Sequence, residues 1–315
     1  MALSIDEANT VSTKYFDKTL TQQVYEKSPL FAKLKSAKQV TTDGGNSIQF
    51  GIRYTELGRA ETVDPREQIS YTQKETRTGG NLDWKYYVGQ SMIQWDERVK
   101  NTGKPQIINL MADKTEEMRQ DMFNKFQTDL YATTQASKSF SGLDEIVDSG
   151  DTYAGISTTD ATEWVAIEDT STTKLVLYGT AGSFAHRMNQ ATFGPDKPDL
   201  VITTRDLFNK FESLIEPQLR YESGAMGKLG FTALKYHGAE IVSDYACTDL
   251  YMYGLCTKYF EFRVHSDFNF KTDKWDDLKQ AGFPQALVKL VFWTGNLCCK
   301  MRKVNLKYSA LDYTA

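Results

Sequence analysis

Three patterns predict an α+β chain. Alternating apolar runs come first, between residues 48 and 88, and one long run at helical spacing follows from Pro105 to about Ala136. Short strand, helix and turn signals then follow one another closely to the C-terminus.

Residues 1–46 are polar with scattered apolar anchors (Val24, Tyr25, Leu30, Phe31 and Leu34), enough for a short helix and an arm with little core of its own. Thr41 to Asn46 reads TTDGGN, a turn cluster. Ile48, Phe50, Ile52 and Tyr54 then alternate with Gln49, Gly51, Arg53 and Thr55, the pattern of a half-buried strand. A charged tip with a proline follows, carrying Gly58, Arg59, Glu61, Asp64, Pro65, Arg66 and Glu67. A second alternation, Ile69, Tyr71 and Gln73, returns toward Gly79-Gly80. A third, Leu82, Trp84, Tyr86 and Val88, continues the β-rich region.

The hairpin's length has a consequence. Roughly 11 residues per arm at about 3.3 Å each reach about 36 Å. A compact chain of 315 residues has a radius of gyration of only about 20 Å. Such a hairpin projects beyond its own body, and a two-stranded ribbon is marginal alone. It must lie on something, and a neighbouring copy of the same chain is the economical candidate. The charges at its tip fit either a solvated loop or an intersubunit contact. The length favours the contact, with Arg59, Glu61, Asp64, Arg66 and Glu67 setting register through complementary charge.

Pro105 opens the long helix, where its fixed φ and missing N–H cost least. Ile107, Met111, Met118, Met122, Phe126 and Leu130 form its apolar stripe, and Asp113, Lys114, Glu116, Glu117, Arg119 and Gln120 fill the other face. Run to Ala136, it spans about 32 residues, or roughly 48 Å. Ser139 to Thr159 is loop-rich. A helical segment between Thr170 and Gln190 is interrupted by Gly179, Thr180 and Gly182. Leu200 to Ile202 reads as a buried strand, and Thr204 caps a helix carrying Leu207, Phe208, Phe211, Leu214 and Ile215 until Pro217 ends it. Ala239–Val242, Leu250–Leu255 and Tyr259–Val264 read as short strands. Ala286–Trp293 and Leu297–Lys303 read as a closing hairpin across Thr294-Gly295.

Composition excludes several function classes. A net charge of −4 argues against a sequence-reading nucleic-acid binder. Hydrophobic residues at 40% and aromatics at 12% suffice for a large core. Cys247, Cys256, Cys298 and Cys299 lack zinc-type spacing and are expected to be reduced thiols in a cytoplasmic setting. No apolar run approaches the roughly 20 residues that span a bilayer, and no signal peptide opens the chain. His186, His237 and His265 lie far apart, so no metal site is expected. Ser171 to Lys174 matches S-x-x-K near an expected helix start, without its companion motifs, and no phosphate-cradling glycine loop is present. Glu116 and Glu117 diverge on a helix, and the aromatics Tyr251, Tyr253, Tyr259, Phe260 and Phe262 fit core packing better than base stacking. No catalytic residue, cofactor or metal ligand is expected, and the chain reads as a non-enzyme.

The segments SGLDEIVDSGDTYAGIS (from Ser141), PDLVITTRDLFNKFESLIEPQLRY (from Pro198), GAEIVSD with YGLCTKYFEFRVH, and WTGNLCCKMRKVNL near the end resemble, in order, the major capsid proteins of tailed double-stranded-DNA phages. The resemblance implies the Hong Kong 97-type (HK97-like) α+β fold. It implies an N-terminal arm at 1–46, an extended loop at 47–90, a peripheral domain with a spine helix at 91–140, an axial domain at 141–260, and return strands at 261–315. It implies hexamers and pentamers closing an icosahedral shell around double-stranded DNA, in a virion assembled in a bacterial cytoplasm. Its partners would be copies of itself, a portal, a separate scaffolding protein (the chain starts directly at the arm) and cement proteins. Two alternatives stay open: a bacterial nanocompartment shell of the same fold, and a soluble α+β enzyme with an unrecognised site.

Overall fold

The computed structural model describes residues 28–53, 58, 60, 62–66, 68, 75–100, 104–150, 152–159, 161, 164–215, 232–278 and 286–313. Of the expected features, Val24, Tyr25, Tyr54, Arg59, Glu61, Glu67, Ile69, Tyr71, Gln73 and Pro217 lie outside the described residues.

The strands are β1 (Val40–Asp43), β2 (Ile48–Arg53), β3 (Arg77–Leu82), β4 (Lys85–Ile93), β5 (Ile167–Asp169), β6 (Thr173–Lys174), β7 (Leu200–Thr203) and β8 (Ala233–Tyr236). They continue as β9 (Ala239–Ser243), β10 (Met252–Leu255), β11 (Phe260–His265), β12 (Lys271–Thr272), β13 (Asp276–Asp277), β14 (Leu287–Cys299), β15 (Leu306–Tyr308) and β16 (Leu311–Asp312). The helices are α1 (Pro29–Ser36), α2 (Trp95–Lys100), α3 (Lys104–Leu130), α4 (Leu143–Ile146), α5 (Phe184–Gln190) and α6 (Arg205–Ile215).

One sheet is organised around β14, a single strand of 13 residues. The expected closing hairpin is therefore wrong: Thr294-Gly295 is not a turn. Along one edge β14 pairs antiparallel with all nine residues of β4, from Leu287↔Ile93 to Gly295↔Lys85. Its other edge takes β13, β12 and β11 in succession. Gly295 pairs on both sides, and a Cβ there would stand 2.6 Å from the Arg263 carbonyl oxygen and from the Trp293 ring. The glycine is present for close approach, not for reversal. β1 extends this sheet parallel to β11, so Thr41 to Asp43 are strand, and the expected turn cluster is confined to the residues that follow.

The second sheet runs β5-β15-β10-β7-β9-β8. All four residues of β7 are buried, as the apolar run predicts. The reason is that both faces are covered. Leu200, Ile202, Val242 and Tyr253 join the core beneath the first sheet, while Val201, Ile241, Met252 and Leu306 pack with Phe184 of α5 and Leu207 and Phe211 of α6. β8 and β9 join through His237 and Gly238, both at positive φ, the geometry of a two-residue hairpin turn.

α3 is 27 residues long and stops at Leu130, six residues before the expected end. The Gln135 side chain donates back to the Asp129 carbonyl, and Gly142 packs so closely that a Cβ would meet the Asp129 oxygen at 2.8 Å. Its stripe from Met111 to Leu130 is buried as expected. Arg119 is not on the solvent face: it is buried, its guanidinium on Glu116. Ser171 precedes β6, not a helix, its N–H donating to Asp169. Before α5, Gly179 and Gly182 take positive φ, which confines the helix to Phe184–Gln190.

Candidate assembly surfaces

The base of the β2–β3 hairpin is anchored from three directions. Trp84 Nε1 donates to the Gly45 carbonyl at 2.9 Å, Arg263 to the Gln49 carbonyl at 3.2 Å, and the Asn81 N–H to the Ala154 carbonyl at 3.0 Å. Ile48, Phe50, Ile52 and Leu82 face the core while Gln49, Gly51 and Arg53 face water. Every pair from Ile48↔Leu82 to Arg53↔Arg77 is symmetric about position 65. Pro65 and Arg66 form a turn there. Twelve positions separate Pro65 from each member of the last described pair, Arg53↔Arg77. Asp64 and Arg66 flank Pro65 and are exposed, as is Val63. Of the five predicted tip residues these two are brought to one turn, and Arg59, Glu61 and Glu67 lie outside the described residues.

The alternation through Leu82, Trp84, Tyr86 and Val88 breaks phase at Lys85. Leu82 and Trp84 are buried, but from Lys85 onward Tyr87, Gly89, Ser91 and Ile93 face inward. A Cβ on Gly89 would lie 2.9 Å from Met122, so β4 sits flush against α3. Tyr86, Val88 and Met92 therefore point outward, and Trp95 and Val99 follow one turn apart on α2. These five side chains are 40–72% exposed. They make up five of the thirteen large apolar side chains exposed among the described residues, so the surface is concentrated here. Sequence reasoning missed this row. The small residues Gly89 and Ser91, opposite bulky neighbours, were the signal for which face meets the helix.

Behind the row, Tyr87 donates to Asp129 at 2.6 Å and accepts from the Phe140 N–H at 3.1 Å. Burial and the Asp129 carboxylate raise its hydroxyl well above the usual range. Tyr87, Phe126, Phe140, Phe262, Phe270 and Trp293 form one aromatic cluster under the sheet. Two buried cations tie α4 to the chain around β15. Arg302 donates to the carbonyls of Glu145, Ile146, Asp148 and Trp164. Lys307 Nζ lies 3.0 Å from Asp144, 3.1 Å from Asp148 and 2.9 Å from Glu168.

The remaining chemistry is dispersed. His186 lies on α5, His237 in the β8–β9 turn and His265 at the end of β11. Among the described residues no group of three or more histidine, cysteine or acidic side chains could hold a metal ion, and no helix is long and apolar enough to cross a membrane. All four cysteines are free and buried. Burial pushes the thiols of Cys298 and Cys299 up to about 12 and that of Cys256 up to about 11. Tyr253, Phe260 and Phe262 are core residues, so the aromatic run is packing.

No family model and no curated protein matches this sequence. Solved structures do match its shape. The capsid asymmetric unit of cyanophage A-1(L) superposes with a TM-score of 0.61 at 16% identity, covering 87% of this chain and 90% of that one. The capsid of Myoviridae phage XM1 gives 0.55 at 11% identity, covering 88% and 92%. The procapsid of satellite phage P4, solved with its size-determination protein, gives 0.50 at 12% identity, covering 96% and 95%. The fold is thus the Hong Kong 97-type capsid fold that the resemblance implied.

Proposed function

We propose that this chain is a major capsid protein, a non-enzymatic subunit whose hexamers and pentamers close an icosahedral shell around double-stranded DNA in a virion. The observation that carries the reading is the pairing of two unequal surfaces on one chain. One is a hairpin with its register centre far from its base; the other is an outward apolar row on β4 and α2. In this reading the hairpin of one copy lies on the row of the next, with Val63, Asp64 and Arg66 at its leading end.

Contacts between unlike patches are head-to-tail, and they close into rings when the rotation divides a circle. That is the geometry of capsomers. Each interface can be modest, on the order of 1,600 Å² or less, because a closed lattice multiplies it. The reading keeps the proposed division into arm (1–46), extended loop (47–90), peripheral region (91–140), axial region (141–260) and return strands (261–315). It also keeps a separate scaffolding protein, a portal and cement proteins as partners, and assembly in a bacterial cytoplasm.

The test uses two defective proteins. Deleting Gly58–Glu67 removes the donor, and Val88→Glu spoils the acceptor. Each should fold, and neither should assemble where the unaltered chain closes shells holding nuclease-protected DNA. Mixed together they should yield cross-linkable dimers and nothing larger, because only one donor–acceptor pair remains intact. Normal shells from either variant alone would defeat the proposal.

A further inference from the structure

A cleft of about 510 Å³ opens between the last turns of α3 and the turn joining β9 to β10. Asn124, Gln127, Thr128, Tyr131, Tyr245 and Thr248 line it, and every lining residue is uncharged. Its walls are braced from beneath: the Tyr131 hydroxyl donates to Asp244 at 2.8 Å, and the Thr248 hydroxyl to the Tyr131 carbonyl at 2.6 Å. Tyr245 stands exposed at the rim.

Gln127 is the anomaly. It is 2% exposed, yet neither Nε2 nor Oε1 has a hydrogen-bond partner among the described residues. A buried amide left unpaired loses its water without replacement, and such groups call for an explanation. The two other buried carboxamides of this core show what the chain does elsewhere. Asn296 accepts from the N–H groups of Ser141 and Leu297 and donates to the Asp83 carbonyl. Asn305 accepts from the Cys256 N–H and donates to the carbonyls of Met301 and Arg302. Both read main chain with donor and acceptor together.

We propose that the cleft is a docking site for a main-chain segment of a second copy, and that Gln127 is the residue that reads it. Rotation about the glutamine's flexible side-chain bonds brings its amide into the cleft it lines. There Nε2–H meets the carbonyl and Oε1 meets the N–H of incoming backbone. The uncharged lining selects against phosphate, carboxylate and cationic side chains and leaves backbone amide as the matching chemistry. This inference rests on the shell reading, because that reading supplies the second copy.

Gln127→Leu separates a docking role from a structural one, because the two predict different combinations of effects. Removing an unpaired polar group should raise the melting temperature of the unassembled subunit by roughly 2–6 °C, while raising the concentration needed for shell closure at least tenfold. A higher melting temperature with unchanged assembly overturns the docking role. A lower melting temperature overturns it too, since the amide then has a partner within the chain. Thr128→Arg, on an exposed position at the cleft mouth, should block closure with melting unchanged, and normal closure by that variant is equally fatal. Unaltered protein that forms no shells defeats the shell reading and the docking with it. Shells from unaltered protein and from both variants defeat the docking alone.

Discussion

Replacing Lys307 by methionine removes the ammonium shared by Asp144, Asp148 and Glu168, all within 3.1 Å of it. The lysine side chain is 3% exposed and the three carboxylate side chains 12–18%. Removing one partner of a buried ion pair costs about 3–5 kcal/mol. Partial solvation of the acids places this loss near the lower end, about 3 kcal/mol. At roughly 2–4 °C per kcal/mol the unassembled subunit should melt about 6–12 °C lower at pH 7. The deficit should depend on pH, and its sign follows from the site. Burial raises the Asp144 carboxyl above its usual range, against the lowering effect of its bond to Lys307. A carboxyl raised on folding holds its proton more tightly in the folded chain, so its ionisation costs stability as pH climbs through the folded value. Burial opposes the charge on Lys307, but its bonds to Glu168 and Asp144 outweigh that and raise its pKa above the usual 10.5. Its contribution is full below the usual value and is lost only as pH rises through the raised one, so between pH 4 and 8 it stays charged. Acid should therefore relieve the variant, leaving a smaller deficit at pH 4.5 than at pH 7. The assay is thermal unfolding followed by circular dichroism at both pH values. A variant that melts with the unaltered protein, or an equal deficit at both pH values, refutes the reasoning.

Gly295→Ala should cost about 1–3 kcal/mol or more, read as a lower denaturant midpoint, because its methyl would stand 2.6 Å from the Arg263 carbonyl oxygen, on backbone that cannot give way. The cysteines should be inert in the folded subunit. With Cys298 and Cys299 buried and their thiols pushed up to about 12, a thiol-specific dye at pH 8 should label them only after denaturant is added. Rapid labelling of the native protein would contradict the packing.

What could be read in advance was local. β2, β7 and α6, together with the stripe on α3, follow from alternation, helical spacing and burial of apolar runs within a few residues. What could not be read depends on distant partners. Thr294-Gly295 between two alternations looks like a hairpin, and pairing with β4, some 200 residues earlier, and with β11 holds it straight. The phase break at Lys85 is silent in a period-two pattern because Tyr86 and Val88 are as apolar as a core would want. The end of α3 is set by Gln135 and Gly142 folding back on it, not by a breaker in the helix. Lys307 and Arg302 look like surface charges in LCCKMRKVNLK until the fold surrounds them. The tip charges were visible, and the apolar row that would receive them was not.

The β4–β14 ladder also settles how the subunit carries load. Ladder hydrogen bonds lie perpendicular to their strands. A pull entering at Lys85 and directed along β4 therefore stresses all nine pairs together in shear and cannot peel them one at a time. β14 shares its other edge with β11, β12 and β13, so the same tension spreads across the sheet. A wall built from such subunits would resist outward pressure through ladders loaded lengthwise.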